Sequence, residues 1–357
     1  MILIDAEPDL DTFPLDDPSP WYGMERFAEE TGRLRDSLSA RTGEAARLCW
    51  FMRLDPQIEL AYGTPTYPAE RFDRFWDEAR SAGDALGPHA QAWRWNDREQ
   101  TWSVELADRD YVEYMQEMSF DAFETAFGEP AIYQRFGFRF MSNDVMNLAR
   151  DRGVRVDLTL EPGEPAVHPG LIAGRVWTGV VPDQTDVPRG PYQPDPTDFT
   201  RRGTDPTDPL WTFPLSSGRF VPAPTAAATA QAVPTATART LRRARHPVKT
   251  MKRLVAGAPP PKPGLARRRV PYSTLSVAWE WRSPADFWDS AFAAVDDQEL
   301  PYLALGLRTD VLAYDDRRRR FHEIMQHLET DPRASRLVFT TPEDALHRMG
   351  LLEVAGS

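Results

Sequence analysis

Two carboxylates near the first residue of the chain have a setting that suits chemistry. Asp5 and Glu7 follow the apolar run at 1–4, and the acidic cluster continues to Asp9. A short apolar run bounded by turn-prone residues predicts a buried strand, and side chains two residues apart on a strand point the same way. Such a pair at a strand end can hold a cation or act as a base. An acidic loop with solvated charges is the alternative.

A second group of candidate residues follows Gly87-Pro88, where His89 begins the stretch His89-Ala90-Gln91-Ala92-Trp93-Arg94-Trp95. Among the six histidines of the chain, His89 is the one at the start of a predicted strand. It is therefore the candidate metal ligand, and a structural histidine is the alternative. Trp93 and Trp95 offer flat apolar faces that could stack on sugar rings, although packing in the core explains them equally well.

Strands and helices alternate over the first 160 residues, and this order predicts a mainly parallel sheet or barrel. Beyond residue 160 the pattern changes to loops rich in Pro, Asp, Gly and Thr, and order returns after residue 273. The predicted strands lie at 1–4, 46–54, 89–95, 131–136, 154–160, 210–215, 302–307 and 336–339, and the predicted helices at about 20–38, 72–83, 108–127, 141–152, 287–295, 317–328 and from 342.

The segment 221–270 differs in composition from the rest of the chain. Ala, Pro and Thr dominate its first part, and 239–269 carries eleven Lys or Arg residues and no acidic residue. Such a composition buries too little apolar surface to offset chain entropy, so we expect a disordered basic insertion that is dispensable for folding. Its basic arm could contact an acidic partner. The first part of the folded domain is then 1–220, and 271–357 completes it.

Bulk composition narrows the function classes. The 357 residues are 41% hydrophobic, enough for a substantial core. The net charge of −12 argues against non-specific nucleic-acid binding by the whole chain, and no specific nucleic acid is expected as a partner. The single cysteine, Cys49, excludes an internal disulfide framework. Neither a signal peptide nor an apolar run of about 20 residues is visible, so no membrane span is expected. These features predict a cytoplasmic protein.

The motifs in their order resemble those of the polysaccharide deacetylase superfamily, the carbohydrate esterase family four type. The resemblance is carried by Asp5-x-Glu7, the His89 to Trp95 stretch, Arg135-Phe136-Gly137 and Gly153-Val154-Arg155-Val156-Asp157. It covers roughly 1–163 well and 273–349 loosely. It implies a distorted (β/α)7–8 TIM-like barrel and hydrolysis of an N-acyl, non-peptide C–N bond in a carbohydrate or glycoconjugate.

The resemblance also implies roles for individual residues. Asp5 corresponds to the catalytic base, and Arg135 to the arginine that orients it. Glu7 and His89 correspond to ligands of a divalent metal, with zinc the expected metal. Trp93 and Trp95 would contact the carbohydrate substrate.

Two positions depart from the family pattern. Gln91 stands where the family has a second metal-binding histidine, and the strand at 302–307 contains no histidine that could act as the acid. Because an amide oxygen is a weak ligand, we expect metal binding at Glu7, His89 and Gln91 to be weak. An enzyme with an altered site is the first hypothesis. An inactive barrel that binds a glycan or a protein partner is the second, and a scaffold acting through the basic arm is the third.

Overall fold

The computed structural model describes residues 1–219, 273–276, 281–296, 298 and 300–352. The predicted insertion 221–270 and its basic arm 239–269 lie outside these residues. Within the described ranges, no helix is both long and apolar enough to cross a membrane.

Strands and helices alternate through the first half of the chain. They are β1 (Ile2–Ala6), α1 (Tyr22–Thr42), β2 (Cys49–Met52), α2 (Pro56–Tyr62), α3 (Tyr67–Arg71), α4 (Asp73–Ser81), β3 (Ala85–Pro88), β4 (Trp93–Asn96), β5 (Thr101–Glu105), α5 (Arg109–Phe127), β6 (Tyr133–Gln134), α6 (Asn143–Asp151) and β7 (Val156–Asp157).

Short strands follow, and helices return near the C-terminus. They are β8 (Gly170–Ile172), β9 (Arg175–Thr178), β10 (Pro194–Asp195), β11 (Asp198–Arg202), β12 (Trp211–Thr212), β13 (Ser217–Gly218), β14 (Ser273–Thr274), α7 (Pro284–Asp296), β15 (Leu305–Arg308), α8 (Asp315–Thr330) and α9 (Pro342–Arg348). Three 3₁₀ turns lie at Gly137–Arg139, Thr309–Ala313 and Pro332–Arg336.

Two parallel sheets form the centre of the fold. The larger has the order β15-β1-β2-β3, and the smaller has the order β12-β7-β6. The backbone N–H of Arg135, just after β6, donates to Pro88 O of β3 at 3.2 Å and links the two sheets. This mixed α/β arrangement agrees with the alternation seen in the sequence. Closure of the strands into a barrel stays a prediction.

Helices and turns begin where the local chemistry favours them. Asp55 caps α2 by accepting from Gln57 N, with Pro56 at the first helical position. Thr341 caps α9 in the same way, by accepting from Asp344 N, and Pro342 follows it. Buried aromatic rings then pack the helices on the sheet, with Trp50 of β2 in edge contact with Phe27, Phe75 and Trp76.

The structure departs from the predicted elements in three places. Only the last part of the predicted strand 89–95 is a strand. Strand β3 ends at Pro88, the next four residues lie outside any strand, and β4 begins at Trp93. Strands β4, β5, β9 and β8 form a further sheet in this order, separate from the two parallel sheets. Two of its strands, β8 and β9, lie in the predicted loop region after residue 160. The predicted last strand, 336–339, is a 3₁₀ turn followed by extended chain. In each of these places the apolar run is too short to show the spacing of apolar residues that distinguishes a helix from a strand.

Gly87 sets how closely β3 and β6 approach. A Cβ on Gly87 would lie 2.5 Å from the carbonyl oxygen of Tyr133, which is backbone and cannot rotate away. His89 therefore follows a strand whose spacing from β6 only glycine permits.

We expect Gly87→Ala to lower the free energy of unfolding by about 1–3 kcal/mol, because the added methyl group forces the two strands apart. Gly32→Ala in α1 is the matched control. Nothing lies within 4 Å of its Cβ position, so that change should stabilise the helix by about 0.5–1 kcal/mol. Urea denaturation of the three proteins measures both effects. Equal stability of Gly87→Ala and the wild type would show that the strands do not constrain each other there.

Candidate functional site

The C-terminal ends of neighbouring strands bring the predicted site residues together. Asp5 and Glu7 lie at the end of β1, His89 directly follows β3, and Arg135 directly follows β6. Arg135 Nε donates to Asp5 Oδ1 at 2.8 Å, and Arg135 Nη1 donates to Leu158 O at 2.7 Å. The ion pair and the carbonyl contact fix the Asp5 carboxylate in one orientation.

The imidazole of His89 is oriented by a backbone carbonyl. His89 Nδ1 lies 2.8 Å from Arg135 O, and because a carbonyl oxygen only accepts, Nδ1 carries the proton. Nε2 is left facing Glu7 Oε1 at 3.0 Å. This arrangement directs the ligating nitrogen of His89 towards the carboxylate, as a metal-binding histidine requires.

Gln91 presents its amide nitrogen, not its oxygen, to this centre. The indole N–H of Trp93 only donates, and it donates to Gln91 Oε1 at 2.8 Å. The amide NH₂ of Gln91 therefore lies 2.7 Å from Glu7 Oε1 and 3.0 Å from His89 Nε2. This orientation is contrary to the predicted ligand role of Gln91, because a metal ion needs a lone pair and meets a donor.

Arg308, at the end of β15, contacts the remaining oxygen of Glu7. Its Nη2 lies 2.8 Å from Glu7 Oε2 and 2.6 Å from Asp11 Oδ1, and its Nε lies 3.2 Å from Asp310 Oδ1. Burial disfavours the charged guanidinium, but Glu7, Asp11 and Asp310 together hold the pKa of Arg308 well above its usual value. Arg308 is therefore positively charged where it contacts Glu7.

Glu7 is held ionised by its surroundings. Burial opposes its charge, yet Arg308, His89 and Arg53 together hold the pKa of Glu7 below its usual value. Arg53 lies in the core beside Asp55, which also accepts from Gln91 N. Its Nη1 is a buried nitrogen with no hydrogen-bond partner. The Arg53–Asp55 pair contacts the site through the backbone N–H of Gln91. This pair was not predicted from the sequence.

Asp5, Glu7 and His89 form a set that could hold a metal ion. Each offers one ligand atom, and these atoms lie within 4.8 Å of one another. Two carboxylates and an imidazole suit a hard or borderline divalent cation. However, Glu7 Oε1 already accepts from Gln91 and Oε2 from Arg308, so a metal ion would compete with these two donors for Glu7.

The predicted substrate-binding tryptophans lie inside the protein rather than on its surface. Trp93 is 1% exposed, with Phe138 in edge contact and the Arg175 guanidinium over its ring. Trp95 is half-buried against Trp102. Burial of Trp93 is contrary to the sugar-stacking role expected from the sequence, because its faces already pack on protein groups.

Access to the centre is narrow. Asp5, Glu7, His89 and Gln91 are 2–4% exposed, whereas the side chain of Arg308 keeps 35% of its surface in solvent. A substrate or ion reaches Glu7 only if a neighbouring side chain moves. Arg308 is the most exposed group in contact with it.

Two further carboxylates, Glu161 and Asp157, interact electrostatically with Arg135. Glu161 Oε1 lies 3.6 Å from Arg135 Nη2, and Glu161 also accepts from Thr274 Oγ1. Asp157 accepts from Thr159 N, Thr159 Oγ1 and Gln134 Nε2. Burial raises the pKa of Asp157 to about 6, although Thr159, Gln134 and Arg135 favour its charged form.

Sequence reasoning missed Arg308, Arg53, Glu161 and Asp11 as members of the site. The available signal for Arg308 was its position beside Asp310, after a predicted strand that lacks the expected histidine. The other three could not be placed without the long-range contacts that bring them together.

Comparison with known proteins gives similarities of structure alone. No family model and no curated protein matches the chain. The solved structures that resemble it include a glycoside hydrolase/deacetylase from Parabacteroides distasonis, with 12% identity, TM-score 0.48, and coverage of 98% of this chain and 70% of that one.

Two further structures cover nearly the whole chain. They are a probable polysaccharide deacetylase from Pseudomonas aeruginosa PAO1, at 12% identity, and the PuuE allantoinase, at 11% identity. Each has a TM-score of 0.46, and each match covers 99% of this chain and 91% of the other. A protein described as a probable polysaccharide deacetylase is thus among the structures that the chain is similar to.

The raised pKa of Asp157 predicts a pH-dependent stability difference. An aspartate whose pKa in the folded protein exceeds its unfolded value stabilises fully below about pH 4, and this contribution is lost as the pH rises through 6. Asp157→Asn removes the ionisation. Relative to the wild type, its free energy of unfolding should therefore rise between pH 4 and pH 7, by up to about 3 kcal/mol.

Denaturant titrations at several pH values measure this difference, and Asp16→Asn, at an exposed position, is the control. A stability difference between Asp157→Asn and the wild type that stays constant over this pH range would show that Asp157 is ionised throughout it.

Gln91→His should raise the affinity for zinc, because it replaces an NH₂ donor beside Glu7 and His89 with a nitrogen ligand. We expect a gain of about tenfold or more, the effect of one added imidazole. Zinc titration of Gln91→His and the wild type measures it, with His89→Ala added to each as the control. A gain that survives His89→Ala would place the zinc elsewhere.

Proposed function

We propose that this chain is a polysaccharide deacetylase-like hydrolase that acts on an N-acyl, non-peptide C–N bond in a carbohydrate or glycoconjugate, and that it has an incomplete metal site. The observation that carries the proposal is the convergence of Asp5, Glu7, His89 and Arg135 at adjacent strand ends, with the ligand atoms of the first three within 4.8 Å. A distorted (β/α)7–8 barrel is the matching fold proposal.

In this mechanism Asp5 is the base that removes a proton from the attacking water. Arg135 donates to its Oδ1 at 2.8 Å, which orients the carboxylate. His89 is fixed by Arg135 O through Nδ1, so Nε2 can serve as a ligand. A divalent cation held by Glu7 and His89 would polarise the scissile carbonyl when bound.

The leaving nitrogen needs a proton donor, and no histidine takes this role in β15. Asp310 follows β15, and burial raises its pKa, although Arg308 and Arg317 oppose the shift. Asp310 forms ion pairs with both arginines, at 3.2 Å and 3.3 Å. We therefore assign no residue as the acid, and water supplies the proton to the leaving nitrogen.

A second candidate function is a non-catalytic domain that binds a glycan or a protein partner. One observation favours it: Glu7 Oε1 already accepts from Gln91, and Glu7 Oε2 already accepts from Arg308. In that case the cluster is structural, and the chain retains the fold of a hydrolase without its reaction.

Release of acetate from N-acetylated amino-sugar oligomers separates the two candidates. We expect Asp5→Asn, which keeps the size of the side chain, to lower the rate by about 10²–10⁴-fold, the usual contribution of a general base. Asp16→Asn, an exposed carboxylate in the same segment, should leave the rate unchanged. Binding of the oligomers without any acetate release, with or without added zinc, would contradict the hydrolase proposal and support the second candidate.

A further inference from the structure

We propose that Arg308 is a resident cation that occupies the place of a divalent metal on Glu7 and thereby excludes the metal. The inference rests on the proposed function only in taking Asp5, Glu7 and His89 as a cation site. It adds a protein group that decides whether that site is available.

Protein groups contact both carboxylate oxygens of Glu7. Its Oε1 faces His89 Nε2 at 3.0 Å and Gln91 Nε2 at 2.7 Å, and its Oε2 faces Arg308 Nη2 at 2.8 Å. A carboxylate that binds a metal offers at least one of these oxygens to the ion. Here a guanidinium and an amide supply the donors instead, so Glu7 has its hydrogen-bonding requirement met without an ion.

The charge balance of the centre gives the same result. Asp5 and Glu7 contribute two negative charges, and Arg135 and Arg308 contribute two positive charges. With Arg308 in place, each of these two carboxylates has a guanidinium partner, and Arg308 also pairs with Asp11 and Asp310. Removal of the Arg308 charge leaves Glu7 without its guanidinium partner, which favours a cation in a poorly solvated site.

The backbone fixes Arg308 where it can act in this way. Asp5 and Arg308 are register partners in the adjacent parallel strands β1 and β15. Thr309 Oγ1 donates to Glu7 O and accepts from Glu7 N. The residues beside the Glu7–Arg308 pair are therefore held together by strand pairing and by the Thr309 hydroxyl.

Arg308 also has a place to which its guanidinium can move. Its Nη2 already bridges Glu7 and Asp11, and its Nε contacts Asp310. A small rotation that gives up Glu7 keeps both other carboxylates as partners. Arg308 is a positioning residue in this scheme: it touches a ligand of the metal, and it controls the access of the ion to that ligand.

Zinc titration by competition with a chromophoric chelator tests the proposal without any substrate. We expect Arg308→Gln to bind one zinc ion at least about tenfold more tightly than the wild type, since the lost contact is a charge-assisted hydrogen bond in a buried site. The gain should disappear in Arg308→Gln combined with Glu7→Gln or with His89→Ala. A rise in melting temperature on adding zinc gives a second readout.

Two further variants separate charge from packing. Arg308→Lys keeps the positive charge, so it should bind zinc no more tightly than the wild type. Arg317→Gln is the matched control, because Arg317 pairs with Asp310 at 3.3 Å and lies over Tyr314 rather than on Glu7. It should leave zinc affinity unchanged. Arg308→Met, which keeps the length of the side chain, replaces Arg308→Gln if the latter unfolds.

The proposal is overturned if folded Arg308→Gln binds zinc no more tightly than the wild type, if the gain persists in the Glu7→Gln double variant, or if Arg308→Lys gains as much. Failure of the hydrolase proposal looks different. In that case Arg308→Gln gains zinc as expected, but acetate release is absent from every variant.

Discussion

The burial of two carboxylates at the end of one strand is the constraint on which the rest of the centre depends. Asp5 and Glu7 are 4% and 2% exposed, and an unpaired buried carboxylate costs several kcal/mol. Both negative charges must therefore be balanced by groups from other strands. Arg135 arrives after β6 and Arg308 at the end of β15, so charge balance requires that distant parts of the chain meet at this point.

This requirement links the two ends of the described chain. Arg308 is about three hundred residues from Glu7 in sequence, yet parallel pairing of β1 with β15 puts it beside Asp5. The Glu7 charge is balanced only after β15 has paired. The first half of the fold therefore contains the candidate catalytic residues, while the last quarter determines the electrostatic state in which they are held.

The sequence predicted those parts of the site that lie at strand ends with a regular pattern. Asp5 and Glu7 follow a short apolar run, whereas His89 and Arg135 are grouped with them by the family resemblance. Helices α1, α5 and α8 were predicted from apolar residues at helical spacing. Long-range ion pairs leave no periodic trace, so the roles of Arg308, Arg53 and Glu161 were not visible. Nor was the orientation of the Gln91 amide, which depends on one indole N–H.

That indole contact constrains the order in which this centre can change by mutation. Gln91 Oε1 accepts from Trp93 Nε1, and Trp93 is fully buried. A histidine at position 91 that turns its free nitrogen towards a metal offers Trp93 no acceptor, and a buried unpaired N–H costs about 1–3 kcal/mol. Substitutions at 91 and 93 are therefore epistatic. A lineage that acquires or loses the second nitrogen ligand passes through a less stable intermediate unless the partner of Trp93 changes first.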